Sequence, residues 1–227
     1  MTESDRPSGT YPRHRDLDDP AGLDAIALRA RQGDQEALGE LFESYRSRLA
    51  RIARFRLDPR LSGRVDESDI LQETYLRAAK RLTEFRDKST MSPLVWLRLL
   101  LQQQLLDTHR HYFQVAKRDV RMDVPLDSPH HSPQTAFFLA HHLAANITSP
   151  SVKLDRQALI GRLEQSLQQL ASTDQEIIAL RHFEELSSSE TAEVLGLERN
   201  TASKRYVRAV QRLQRIMQDA VGEESQA

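Results

Sequence analysis

The sequence contains no cysteine, which excludes disulfide staples, cysteine zinc fingers and iron–sulfur clusters and leaves the redox compartment undetermined. It also has no apolar run long enough to span a bilayer and no basic-then-apolar leader, so the expectation is a cytoplasmic protein with no membrane partner. Aromatic residues are scarce, 6% of 227 residues with a single tryptophan. That supplies little bulk for one large core and favours two small ones. Nor is there an excess of one charge: a formal net charge of −1 gives no overall steering toward nucleic acid. Any DNA-binding surface must be a local basic patch, balanced by acid elsewhere.

What is present is helical periodicity. Residues 1–23 carry Pro7, Gly9, Pro12, Pro20 and Gly22 among mixed charges and read as a flexible tail. Asp34 is placed to cap a helix whose stripe is Leu38, Leu41, Phe42, Tyr45, Leu49, Ile52 and Ala53. After Asp58, Pro59 and Ser62-Gly63 the pattern resumes with Ile70, Leu71, Thr74, Tyr75, Ala78, Leu82 and Phe85. It starts again at Ser92-Pro93, through Leu94, Trp96, Leu97, Leu100, Leu101 and Leu105. Residues 24–118 therefore read as one all-helical domain. Residues 119–155, with Pro125, Pro129, Pro133 and Pro150 and four histidines, read as a flexible linker in which 137–146 could form a short helix. A second helical domain follows at 156–218, and 219–227 is a terminal tail. The fold class expected is all-α, two small helical domains joined by a linker.

The second domain carries the clearest functional signal. Thr173 with Glu176, and Ser187 with Glu190, both have the spacing of a reciprocal helix cap. A short helix bearing Ala192, Val194 and Leu195 runs into Gly196, whose backbone freedom suits a sharp turn. In the next helix Ala202, Tyr206, Ala209 and Leu213 share one face, while Thr201, Lys204, Arg208, Arg212 and Arg215 project away from it, with Arg205 at the edge and Arg199 near the start. Short helix, glycine turn and long basic helix form a helix-turn-helix suited to the major groove. Arginine and lysine there serve both phosphate positioning and base readout.

Two stretches together resemble the sigma-70 family of RNA polymerase sigma factors, in its small extracytoplasmic-function (ECF) group. LASTDQEIIALRHFEELSSSETAEVLGLERNTASKRYVRAVQRLQ at 170–214 is similar to the family's fourth region. GDQEALGELFESY at 33–45, DILQETYLRAAKRLTEF at 69–85 and WLRLLLQQQLLD at 96–107 are similar to its second. The resemblance implies a non-enzyme that binds core RNA polymerase and promoter DNA, with no cofactor, metal or small-molecule substrate. It implies −35 contacts from Arg199, Thr201, Ser203, Lys204, Arg205, Arg208 and Arg212. It places Asp69, Gln72, Glu73 and Leu76 against the polymerase. For −10 recognition and melting it points to Arg86, Lys88, Trp96, Arg98 and Arg110, with His109 and Tyr112 as secondary candidates. A lone tryptophan in an apolar stripe more often serves a core than a stacking platform. Many family members are also held by an anti-sigma protein.

The chain departs from the family pattern at Gln102 and Gln103, where arginine and asparagine are common, at Thr191, where an apolar residue is usual, and in the order Ser203-Lys204. Two other readings compete. One is a free-standing operator-binding regulator, which would bind DNA tightly without polymerase. The other is a metal-dependent nuclease built on Asp66, Asp69, Glu73 and His109, which needs those groups to converge. The net acidic tail over 1–22 carries a further expectation, that it covers a basic DNA surface.

Overall fold

The computed structural model describes residues 20–61, 63–87, 90–117, 133–147 and 153–224. The N-terminal tail through residue 19 and the histidines at 130 and 131 lie outside the described residues, as do the expectations placed on them. Among the described residues the repeating elements are helical. They are α1 (Pro20–Arg31), α2 (Gln35–Arg56), α3 (Glu67–Lys80), α4 (Leu82–Asp87), α5 (Pro93–Lys117), α6 (Pro133–Ile147), α7 (Lys153–Gln168), α8 (Ser172–Ile178), α9 (Ser188–Leu195) and α10 (Arg199–Glu224). A 3-10 turn, Pro59–Leu61, follows α2, and a π-helical turn, Ala179–Phe183, follows α8.

The first core forms where α1, α3 and α5 pack on α2. Asp34 begins α2 by accepting from the backbone N–H of Glu36 and Ala37, at 2.9 and 3.0 Å. The stripe from Leu38 to Ala53 then turns inward to meet Ile70, Leu71, Ala78, Leu97 and Leu101. Trp96 is 1% exposed and stacks on Phe85 with ring centroids 4.5 Å apart. It is a core residue, which corrects its placement among the −10 candidates.

The second core unites α6, α7, α8 and α10. The stretch read as linker thus contains a packed helix: Ala136, Leu139, Ala140, Leu143 and Ala144 recur at helical spacing and are buried against α7 and the π turn. The surrounding prolines and histidines mask that stripe in the sequence.

The second domain uses one of its two capping devices as expected. Ser187 and Glu190 form a reciprocal box, with Ser187 Oγ accepting from the Glu190 N–H at 3.2 Å and the Glu190 carboxylate accepting from the Ser187 N–H at 2.8 Å. Gly196 ends α9 at φ +62°, the left-handed conformation that a side chain would resist. The other device does not form. α8 starts at Ser172 after Ala171 with no side-chain cap, because Glu176 is drawn instead to Arg56 on α2 at 2.7 Å. A charge-assisted, half-buried bond to a guanidinium outcompetes an exposed cap.

Thr191, where the family pattern suggests an apolar residue, is 1% exposed and its hydroxyl has no hydrogen-bond partner. A buried hydroxyl without a partner costs about 1–3 kcal/mol. Thr191→Val is therefore expected to raise stability by about 1 kcal/mol, read as a higher midpoint in urea unfolding; an unchanged or lower midpoint would show the hydroxyl to be satisfied.

Candidate nucleic-acid and polymerase interfaces

α10 has two chemically different sides. Ala202, Ala209 and Leu213 are buried and Tyr206 is half-buried, its hydroxyl 2.8 Å from His182 Nε2. Burial, with Arg181 and His142 nearby, holds the His182 imidazole below its usual pKa. Arg199, Thr201, Lys204, Arg205 and Arg208 are all exposed, and Ser203 is half-buried beside them. Arg212 is also exposed but donates to the buried carboxylate of Asp174, so this cation ties α10 to α8. Val207, 50% exposed in the same stretch, is an apolar member of this surface that charge-based reading passes over.

α3 presents the complementary chemistry. Asp66 caps it by accepting from the Ser68 N–H at 2.9 Å, a bond that holds its carboxyl below the usual carboxylate range. Ile70, Leu71, Thr74 and Ala78 face the core, which turns Asp69, Gln72, Glu73 and Leu76 together onto the solvent side. Leu76 is 41% exposed, an apolar centre beside two carboxylates and an amide. A basic, partly apolar partner fits such a face. The nuclease reading gains nothing from this placement: His109 sits 3.4 Å from Asp58, and among the described residues no group of three or more His, Asp or Glu is arranged to hold a metal.

The remaining candidates separate. Arg86 and Arg110 are exposed, each near an acidic neighbour, Asp87 at 3.3 Å and Asp107 at 3.8 Å. Lys88 lies outside the described residues. Tyr112 is at the surface and donates to the Arg64 carbonyl at 3.2 Å. Arg98, by contrast, is 3% exposed and cannot reach DNA in this conformation, a correction to its placement. The unusual glutamines are occupied internally, Gln103 accepting from Arg81 at 2.5 Å and Gln102 from Arg98 at 3.3 Å.

Arg98 is held by a group that sequence reading missed. Glu184, just after the π turn, has a fully buried carboxylate between Arg56 of α2 and Arg98 of α5. Arg56 Nη2 lies 2.5 Å and Arg98 Nη2 3.2 Å from its Oε1. Burial alone would raise the Glu184 pKa, but the two guanidiniums outweigh it and hold the group at about 2. Arg56 is likewise pushed down by burial and raised further by Glu184 and Glu176. Glu184 and Arg56 are therefore charged at neutral pH.

An all-α chain with a basic helix-turn-helix at one end and an acidic helix face on a separate core is the layout of a DNA-binding protein that also docks on a large partner. The family description "Sigma-70 region 2" matches residues 41–112 and "Sigma-70, region 4" matches residues 160–213. The RNA polymerase sigma factor NccH of Alcaligenes xylosoxydans is 26% identical over 208 residues, 90% of this chain and 99% of that protein. The sigma-H factor of Pseudomonas aeruginosa is 26% identical over 87% of this chain and 95% of its own length. The ECF sigma factor SigW of Bacillus subtilis is 22% identical over 84% and 94%. A solved structure of CnrH in complex with the cytosolic domain of CnrY is similar at a TM-score of 0.46 and 20% identity, covering 86% of this chain and 96% of that one.

The chain belongs to the ECF group of sigma-70 family RNA polymerase sigma factors. It binds core RNA polymerase and directs promoter recognition through its second and fourth regions; the polymerase, not this chain, performs the chemistry. No helix among the described residues is long and apolar enough to cross a membrane.

Proposed function

We propose that the exposed face of α10, built on Arg199, Thr201, Ser203, Lys204, Arg205 and Arg208, reads the −35 element, with Arg212 bracing that helix through Asp174. The face of α3 made by Asp69, Gln72, Glu73 and Leu76 docks on the polymerase. Arg86 and Arg110, with Lys88, supply phosphate contacts near the −10 element. One observation carries this division: two solvent-facing surfaces of opposite chemistry stand on helices whose other sides are fixed in different cores. In domain terms, the core that starts with α1 at Pro20 and ends with α5 at Lys117 serves polymerase and the −10 element, and the core that joins α6 to α7, α8 and α10 serves the −35 element; the tail expected to Gly22 and Leu23 gives way to α1, that expected from Asp219 gives way to α10 as far as Glu224, and the expected linker contributes α6. The site of action is the cytoplasm, where polymerase works. On the family resemblance an anti-sigma protein is a further proposed partner, acting by covering either face.

The division is tested by Asp69→Ala with Glu73→Ala. Core-polymerase affinity is expected to fall about tenfold, the effect of losing on the order of 1.4 kcal/mol from an interface. Crosslinking of α10 to upstream DNA, scored per assembled holoenzyme, should be unchanged. Equal loss in both measurements would mean that the two faces are not separate.

A further inference from the structure

Among the described residues of α10, Val207 is the one apolar side chain that stands exposed, at 50%. It is unfavourable there on two counts: a β-branched side chain lowers helix propensity, and its methyls face water. The other exposed positions from Arg199 to Gln218 are arginine, lysine, glutamine, asparagine and threonine, with no acid among them.

The helix places Val207 apart from its arginines. At about 100° per residue, Asn200, Lys204, Val207 and Gln211 fall within a sector about 60° wide, opposite the buried stripe of Ala202, Ala209 and Leu213. Every arginine of α10 turns at least about 80° away from Val207, Arg199 on one flank and Arg208, Arg212 and Arg205 on the other. The middle of the outward face is thus weakly charged and partly apolar, and its flanks are basic.

The order Ser203-Lys204 keeps that middle open. Residues four apart meet on a helix surface, so a lysine at 203 would pack its apolar stem against the Val207 methyls. Ser203 is half-buried and too short to cover them.

A helix lying in the major groove turns the middle of its outward face to the base edges and its flanks to the phosphate walls. On the groove floor the apolar group is the 5-methyl of thymine; the other groups presented there are hydrogen-bond donors and acceptors. We infer that Val207 is a specificity-determining residue that reads a thymine of the upstream element through its methyl, while the flanking arginines hold the backbone. The inference rests on the assignment of α10 to the −35 element and adds which side chain there tells one base from another. Because the contact carries no charge, the discrimination it gives persists at salt concentrations that weaken the arginine contacts.

Deoxyuridine tests this, since it differs from thymidine by that methyl alone. Holoenzyme assembled with the full-length chain first selects its preferred element from promoter fragments randomised over the −35 segment. Each thymine of that element, on either strand, is then replaced singly by deoxyuridine. At one position or two adjacent ones, affinity is expected to fall about three- to fivefold, the effect of losing one buried methyl, and the ratio should hold across salt concentrations. Val207→Ala should bind the thymine and deoxyuridine forms of that position equally, with the parent's salt slope. Alanine at an exposed helical position favours the helix, so the variant keeps its fold. Ser203→Lys with Lys204→Ser, which preserves the charge, should lower the thymine-to-deoxyuridine ratio as well. A parent holoenzyme indifferent to every deoxyuridine, or a Val207→Ala holoenzyme that keeps the parent's ratio, overturns the methyl contact. If Arg205→Ala with Arg208→Ala still weakens upstream binding in that case, the −35 assignment of α10 survives without it; if none of the three residues affects upstream binding, the assignment itself fails.

Discussion

Replacing both Arg205 and Arg208 with alanine is expected to lower holoenzyme affinity for an upstream promoter element about 10- to 100-fold and to make its salt dependence shallower by about two in the log–log slope. Both side chains are exposed on α10, one turn apart, on the helix whose buried side is fixed by Ala202, Ala209 and Leu213. Removing one arginine–phosphate ion pair takes roughly 0.9 off the slope, and removing a base-specific hydrogen-bond pair takes away roughly 1–3 kcal/mol of discrimination. The affinity would be measured by titrating holoenzyme on promoter fragments at several salt concentrations. A reduced affinity with an unaltered slope would mean that the two arginines act through folding and not through phosphate. Because Arg212 is engaged by Asp174, Arg212→Ala should instead show as reduced stability of the second core.

The second large effect is structural. Trp96→Ala should destabilise the second-region core by about 3–5 kcal/mol, a large part of the roughly 5–15 kcal/mol that holds a domain folded. Trp96 is the bulkiest wholly buried side chain, it stacks on Phe85, and α5, which carries it, packs against both α2 and α3. Arg31, drawn over the Phe85 ring at 4.1 Å, would lose the support of that stack as well. Chemical unfolding followed by circular dichroism measures the loss. A cost below about 1 kcal/mol would return Trp96 to the role of a surface stacking platform, since a solvent-facing residue leaves no cavity.

Features fixed by chemistry within a few residues were legible in the sequence. The apolar stripes of α2, α3 and α5, the Ser187–Glu190 box and the turn at Gly196 each follow from spacing or backbone preference, and the structure realises them. Thr173–Glu176 had the same local signature and failed, because Glu176 finds Arg56 120 positions earlier. Arg98 looked like a surface cation for the same reason: its carboxylate partner is 86 positions away, and no local pattern announces it. α6 was only half legible, its stripe of alanine and leucine lying inside a proline- and histidine-rich stretch. The two candidate faces are outward because the periodicity that buries Ile70 and Ala202 leaves Asp69 and Lys204 nowhere else to point. What they touch is chemistry between molecules, which the family resemblance supplied and periodicity could not.

The reciprocal burial of Leu180, Leu186 and Phe55 has a cost that arises only when the regions part. Each of these side chains, if bared, would give up about 1.5–3 kcal/mol of apolar burial. Parting the two regions would therefore bare a leucine pair on one and a phenylalanine on the other. The packing of the two regions thus keeps these three side chains away from water.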